Sequence, residues 1–215
     1  MSFLKPRAES RCRPLPQRLR VKDVADACRS AALAFAWCAR ASWGKRELAR
    51  WLLGPYARAI EATREPPAAR RLPRRSVSSE TVHELLARSH AHVLAVLRSS
   101  GSWKSDARFA RLMVDGGVVV GVIDDESAIG YAPVASAEMR LVDRVTSLFV
   151  ADFLTRPADY TRFRICDLCE GVTFDSAAEH AESCGGAAMG SGIRPAVTAP
   201  AARRVTLIGL GDRAA

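Results

Sequence analysis

Val21, Val24, Cys28, Ala31, Phe35 and Cys38 recur at alternating spacings of three and four. That alternation puts them on one face of a helix, in the narrow seam of a helix that packs along another. Cys28 and Cys38 lie in the seam and read as core thiols rather than reactive ones. Asp23, with Asp26 three residues on, offers a cap at the start of this helix. Leu48, Trp51 and Leu52 supply the apolar side of a second helix over 45–53, Gly54-Pro55 interrupts it, and 56–65 resumes it. Residues 21–65 therefore read as a helical hairpin or small bundle, and the seam of the 21–40 helix offers a homodimer contact.

Ser78 or Ser79 caps the next helix, which runs to about Arg98 with Val82, Leu86, Val93 and Leu97 as its buried stripe. The period then changes. ARFARLMV and VVVGVI flank Asp115-Gly116-Gly117, and an Asp-Gly pair between two apolar runs predicts a hairpin turn. AIGYAPV supplies a third short strand after the acidic turn DDES. Ser136 then caps a helix to about Leu154, with a broad stripe of Leu141, Val142, Val145, Leu148, Phe149 and Phe153, and Pro157 ends it. Helix, antiparallel hairpin, helix is the order of an α+β layer.

The fold class predicted is α+β: a helical N-terminal part, the helix–hairpin–helix layer, and a small zinc-finger segment near the C-terminus. Residues 1–20 form a flexible basic arm, 21–65 the helical region, 66–77 a Pro/Arg linker, 78–158 the α+β domain, 163–186 the finger and 187–215 a flexible tail.

Composition narrows the class. The 215 residues are 48% hydrophobic, which is ordinary for a globular chain. The longest apolar run, Ala31 to Ala39, is about half the ~20 residues a bilayer helix needs, and nothing in the first twenty residues reads as a signal peptide. With six cysteines and no secreted context, reduced thiols in a cytoplasmic protein are the expectation. The net charge of +9 is uneven, with +12 in residues 1–75 and −3 in the rest. Arg70, Arg71, Arg74 and Arg75 cluster in the basic third and are its candidate phosphate contacts. Only four of the 32 basic residues are lysine, so arginine also serves as an ordinary solvating charge.

One segment carries chemistry. FRICDLCEGVTFDSAAEHAESCGG holds Cys166, Cys169, His180 and Cys184 in the order C-x2-C-x10-H-x3-C. Two cysteines separated by two residues fit a tight turn whose thiolates face one ion. His180 and Cys184, four apart, share one face of a helix. Three sulfurs and one nitrogen make the closed tetrahedral set of one structural zinc ion, with no open position for catalytic water. Phe163 to Ile165 and Val172 to Phe174 read as strands entering and leaving the cysteine turn, with Phe174 packing beneath the metal. Asp175 or Ser176, with Glu179, caps the short helix.

This segment resembles a C2HC zinc finger, a variant of the ββα two-Cys-two-His finger. It is also similar to the C2HC ubiquitin-binding fingers of DNA-repair proteins in sharing H-x-acidic-x-C, here His180, Glu182 and Cys184. The resemblance covers 163–186 and no other part of the chain. From Ile165 to Gly186 the segment has five acidic residues and no lysine or arginine, so it would repel a phosphate backbone. That makes it a fold staple or a protein-binding knob.

Weaker candidates are His83, Glu84, His90 and His92 on one helix, where a surface cluster is the simpler reading, and Asp124, Asp125 and Glu126, read as a solvated turn. Gly-rich phosphate loops, G-x-S-x-G and tellingly spaced carboxylate pairs are absent from the sequence. The leading expectation is thus a non-catalytic intracellular regulatory or adaptor protein with a protein partner and no membrane contact. The second is a nucleic-acid-associated regulator using its basic third, and the third an enzyme without a recognisable motif.

Overall fold

A chain this rich in 3.6-period apolar stripes must bury them against one another, and the computed structural model shows how. It describes residues 12–16, 19–38, 43–61, 79–136, 139–167 and 169–174. All of these fall in the first of two compact units, Met1–Asp175, the second being Ser176–Ala215. The elements in order are β1 (Arg13–Pro14), α1 (Val21–Cys38), α2 (Lys45–Leu53), α3 (Pro55–Glu61), α4 (Ser79–Arg98), α5 (Ala107–Asp115), β2 (Val119–Ile123), β3 (Ile129–Pro133), α6 (Leu141–Thr155), β4 (Arg164–Ile165) and β5 (Val172–Thr173). The class is α+β, as the pattern predicts.

Helix α6 is the axis of the core. Leu141, Val145, Leu148, Phe149, Val150, Ala151 and Phe153 are all buried along its length, as expected of a helix enclosed on most sides. It packs on α1, α4 and β3, while α1 also packs on α3 and β3. On α1 the seam residues Val24, Cys28, Ala31 and Phe35 are buried as the spacing predicts, but so are Ala25, Ala32 and Ala36. The stripe is therefore the broad one of a globular helix, filled from within the chain. The seam face from Val21 to Phe35, on which the pattern places the homodimer contact of the 21–40 helix, is buried within the chain. The helical region and the α+β layer likewise share one core.

Two strand assignments differ from the pattern. ARFARLMV is helix α5, not a strand. Asp106 caps it by accepting the Phe109 N–H at 2.7 Å. Gly116-Gly117 ends it, with the Val118 N–H bonded to Met113 C=O and the Gly117 N–H to Val114 C=O, a helix-terminating motif that needs one left-handed residue. Gly117 supplies it at φ 66°. The hairpin is instead β2–β3, paired from Val119↔Pro133 to Ile123↔Ile129, with its turn at the acidic loop. The other difference is the N-terminal arm. Residues 13–14 pair in parallel with β2, Arg13↔Val122 and Pro14↔Ile123, giving a sheet of order β1-β2-β3.

The cysteine turn, a candidate metal centre

Strands β4 and β5 form a two-stranded antiparallel ribbon, Arg164↔Thr173 and Ile165↔Val172, as the sequence predicts for the flanks of the cysteines. Beyond the last ladder pair the chain closes a tight turn. The Cys166 N–H donates to Gly171 C=O at 2.9 Å and the Glu170 N–H to Cys166 C=O at 2.7 Å. Glu170 takes the left-handed conformation that tightness requires, φ 55°. The Gly171 N–H then donates to Cys169 Sγ at 3.3 Å. A backbone donor aimed at sulfur presents the positive end of a dipole to a metal-bound thiolate, the outer-shell support such ligands use.

The ribbon is docked on the core. Val172 and Thr173 are buried. Phe174 lies edge-to-face on Tyr160 and Phe163, ring centroids 5.0 and 5.4 Å away, and the Arg29 guanidinium carbon sits 4.2 Å from its ring centroid. The ring thus packs against the core. Arg29 Nη2 is buried without a hydrogen-bond partner among the described residues, and the negative face of the ring offsets part of that loss. Arg29 is held in turn by Asp152 and Asp159, both at 2.8 Å. Arg98 and Glu170, 3.7 Å apart, add an exposed pair at the turn, worth little in water.

Of the four predicted zinc ligands, Cys166 and Cys169 are thus placed together on one turn, both half-buried. His180 and Cys184 lie outside the described residues, as do Arg70, Arg71, Arg74 and Arg75. Among the described residues no three His, Cys, Asp or Glu side chains gather as a metal set. The histidine cluster on α4 divides: His90 is buried with Nε2 3.1 Å from Ala36 C=O, and Glu84 pairs with Arg88. Asp124 works on backbone. Its carboxylate accepts N–H groups from Val21, Glu126 and Ala128 at 3.0, 3.1 and 2.9 Å, and the Val21 bond leads the causes that hold its pKa below the usual carboxylate value.

Two residues of the turn's surroundings escape sequence reasoning. Gly171 carries a weak signal, a glycine two places after the second cysteine. Trp37 carries none, because only folding brings the end of α1 to this ribbon. Compared with family models, curated proteins and solved structures, the chain matches none of them, so the reading of the turn rests on its own residues.

Proposed function

We propose that the chain is a non-catalytic zinc-binding regulatory or adaptor protein, in which zinc held by Cys166, Cys169, His180 and Cys184 shapes a surface for a protein partner. The observation that carries the metal part is the Gly171 N–H on Cys169 Sγ, within a turn closed by Cys166 at its other end. Soft thiolates with fixed outer-shell donors suit zinc, and four protein ligands suit a structural rather than a catalytic role. The acidic composition of 165–186 supports a protein rather than a nucleic acid as what that segment meets. Among the described residues no helix is long and apolar enough to cross a membrane.

Purified full-length chain should carry about one zinc by elemental analysis, and Cys169→Ala or Cys184→Ala should lose it. A well-folded wild-type preparation that neither holds nor takes up zinc would end this reading. Phosphate contact through the basic third is the competing outcome. It would appear as nucleic-acid binding that weakens steeply with salt and fails when Arg70, Arg71, Arg74 and Arg75 are changed together to Gln.

A further inference from the structure

We infer that Trp37 walls one side of the cysteine turn and shields the Cys169 sulfur. A Cβ built on Gly171 would lie 2.8 Å from Trp37 Cη2, 2.9 Å from Cζ3 and 3.0 Å from Cys169 Sγ. The edge of the indole and the sulfur therefore converge on one point, which a Cβ could occupy only by displacing one of them. Gly171 is not in the left-handed region, so its glycine is demanded by space and not by backbone conformation. The neighbours Phe35 and Ala36 are buried at 0% and 2%, which fixes the helix turn that carries Trp37. The indole is thus held by a helix anchored in the core, a more rigid support than a loop provides.

An aromatic edge beside sulfur is a favourable contact in itself, and the ring occupies volume through which water, a chelator or an electrophile would reach Cys169. Trp37 remains 45% exposed, so it is a wall rather than a lid, and it acts as a positioning residue for the half-site. This deepens the metal reading, which gives the shield its purpose. The geometry stands without it.

The test uses full-length wild type, Trp37→Ala, Trp37→Phe, Gly171→Ala and the Trp37→Ala/Gly171→Ala double variant, with and without prior zinc removal. Alkylation of Cys169 by iodoacetamide is followed by peptide mass spectrometry, which resolves it from the other cysteines. Trp37→Ala should speed Cys169 alkylation by up to about tenfold, the scale of a sulfur–aromatic contact, and Trp37→Phe should fall closer to wild type. Gly171→Ala, by displacing the ring, should raise the rate in the wild-type background and add little in Trp37→Ala. In cobalt-loaded protein, quenching of tryptophan emission should shrink in Trp37→Phe. Equal Cys169 rates in wild type, Trp37→Phe and Gly171→Ala would overturn the shield, and these two variants carry the test even where Trp37→Ala fails to fold. Absence of zinc in the wild type would sink the metal reading while leaving the metal-free alkylation comparison to decide this one.

Discussion

Asp152 is fully buried on α6 and gathers groups from distant parts of the chain. Arg29 from α1 reaches it at 2.8 Å, Arg156 at 2.6 Å and the Tyr160 hydroxyl at 3.0 Å; Arg156 also bonds to Asp26. Two guanidinium groups and a phenol satisfy a carboxylate that would otherwise be prohibitive to bury. The same setting has an alkaline consequence. Burial, and then the Asp152 charge, push the Tyr160 hydroxyl well above its ordinary 10.0. Burial first, and Asp152 second, also push the Cys28 thiol far above 9.0. Both groups hold their protons in the folded chain after the unfolded chain has lost them. The stability they supply is thus complete below pH 9.0 and lost as pH climbs through the raised values. Urea midpoints measured upward from neutral pH should fall beyond that point, and Cys28→Ala with Tyr160→Phe should flatten the decline. A midpoint indifferent to pH over this range would contradict the burial of both groups.

At the scale of elements, α5 shows why one turn signal supports two readings. Asp-Gly between apolar runs suits a hairpin, but Asp106 before the run and Gly116-Gly117 after it also frame a helix of nine residues. Met113 packs against the core, and Phe109, four residues earlier, meets Trp103 and Phe153 at 6.0 and 5.9 Å. Packing decides between the two periods. Gly117 has open space around a would-be Cβ, so Gly117→Ala tests backbone strain alone and should cost about 1 kcal/mol. Asn at the same position should cost less, since it tolerates the left-handed region. Chemical denaturation of the two variants measures this, and an Ala variant as stable as wild type would mean that α5 ends otherwise.

At the scale of the whole described unit, residues 12–16 belong to the fold. Leu15 is 5% exposed, its N–H bonds to Ile123 C=O at 2.8 Å, and Arg13 and Pro14 complete the sheet. Removing residues 1–16 should lower stability by about 3 kcal/mol, the sum expected from burying one leucine and making a few strand hydrogen bonds. A truncated chain that unfolds at the same urea concentration as the full one would return this segment to the role of an arm. For the same reason a fragment ending near residue 75 would lack the partners of β1 and α1. Any phosphate binding by the basic third is therefore to be sought in the intact chain.

Local chemistry was legible in the sequence wherever it acts over a few residues. The 3.6-period stripes placed α1, α2, α4 and α6, because a helix must bury its apolar face. The C-x2-C pair, with strands on either side, placed the cysteine turn. Contacts between residues far apart in the chain were not legible. Asp23 reads as the cap of α1 and does bond to the Arg20 N–H, but the Val21 N–H is capped by Asp124, more than a hundred residues away. Two residues of arm became a strand because β2 offered an unpaired edge. The α1 seam, open to a second copy on pattern alone, was filled by α3, α6 and β3. Trp37 came to lie beside Cys169 only because α1 is anchored where the ribbon docks. Periodicity and spacing determine which faces and turns exist; the shared core decides which of them meet, since burial rewards contact without regard to separation along the chain.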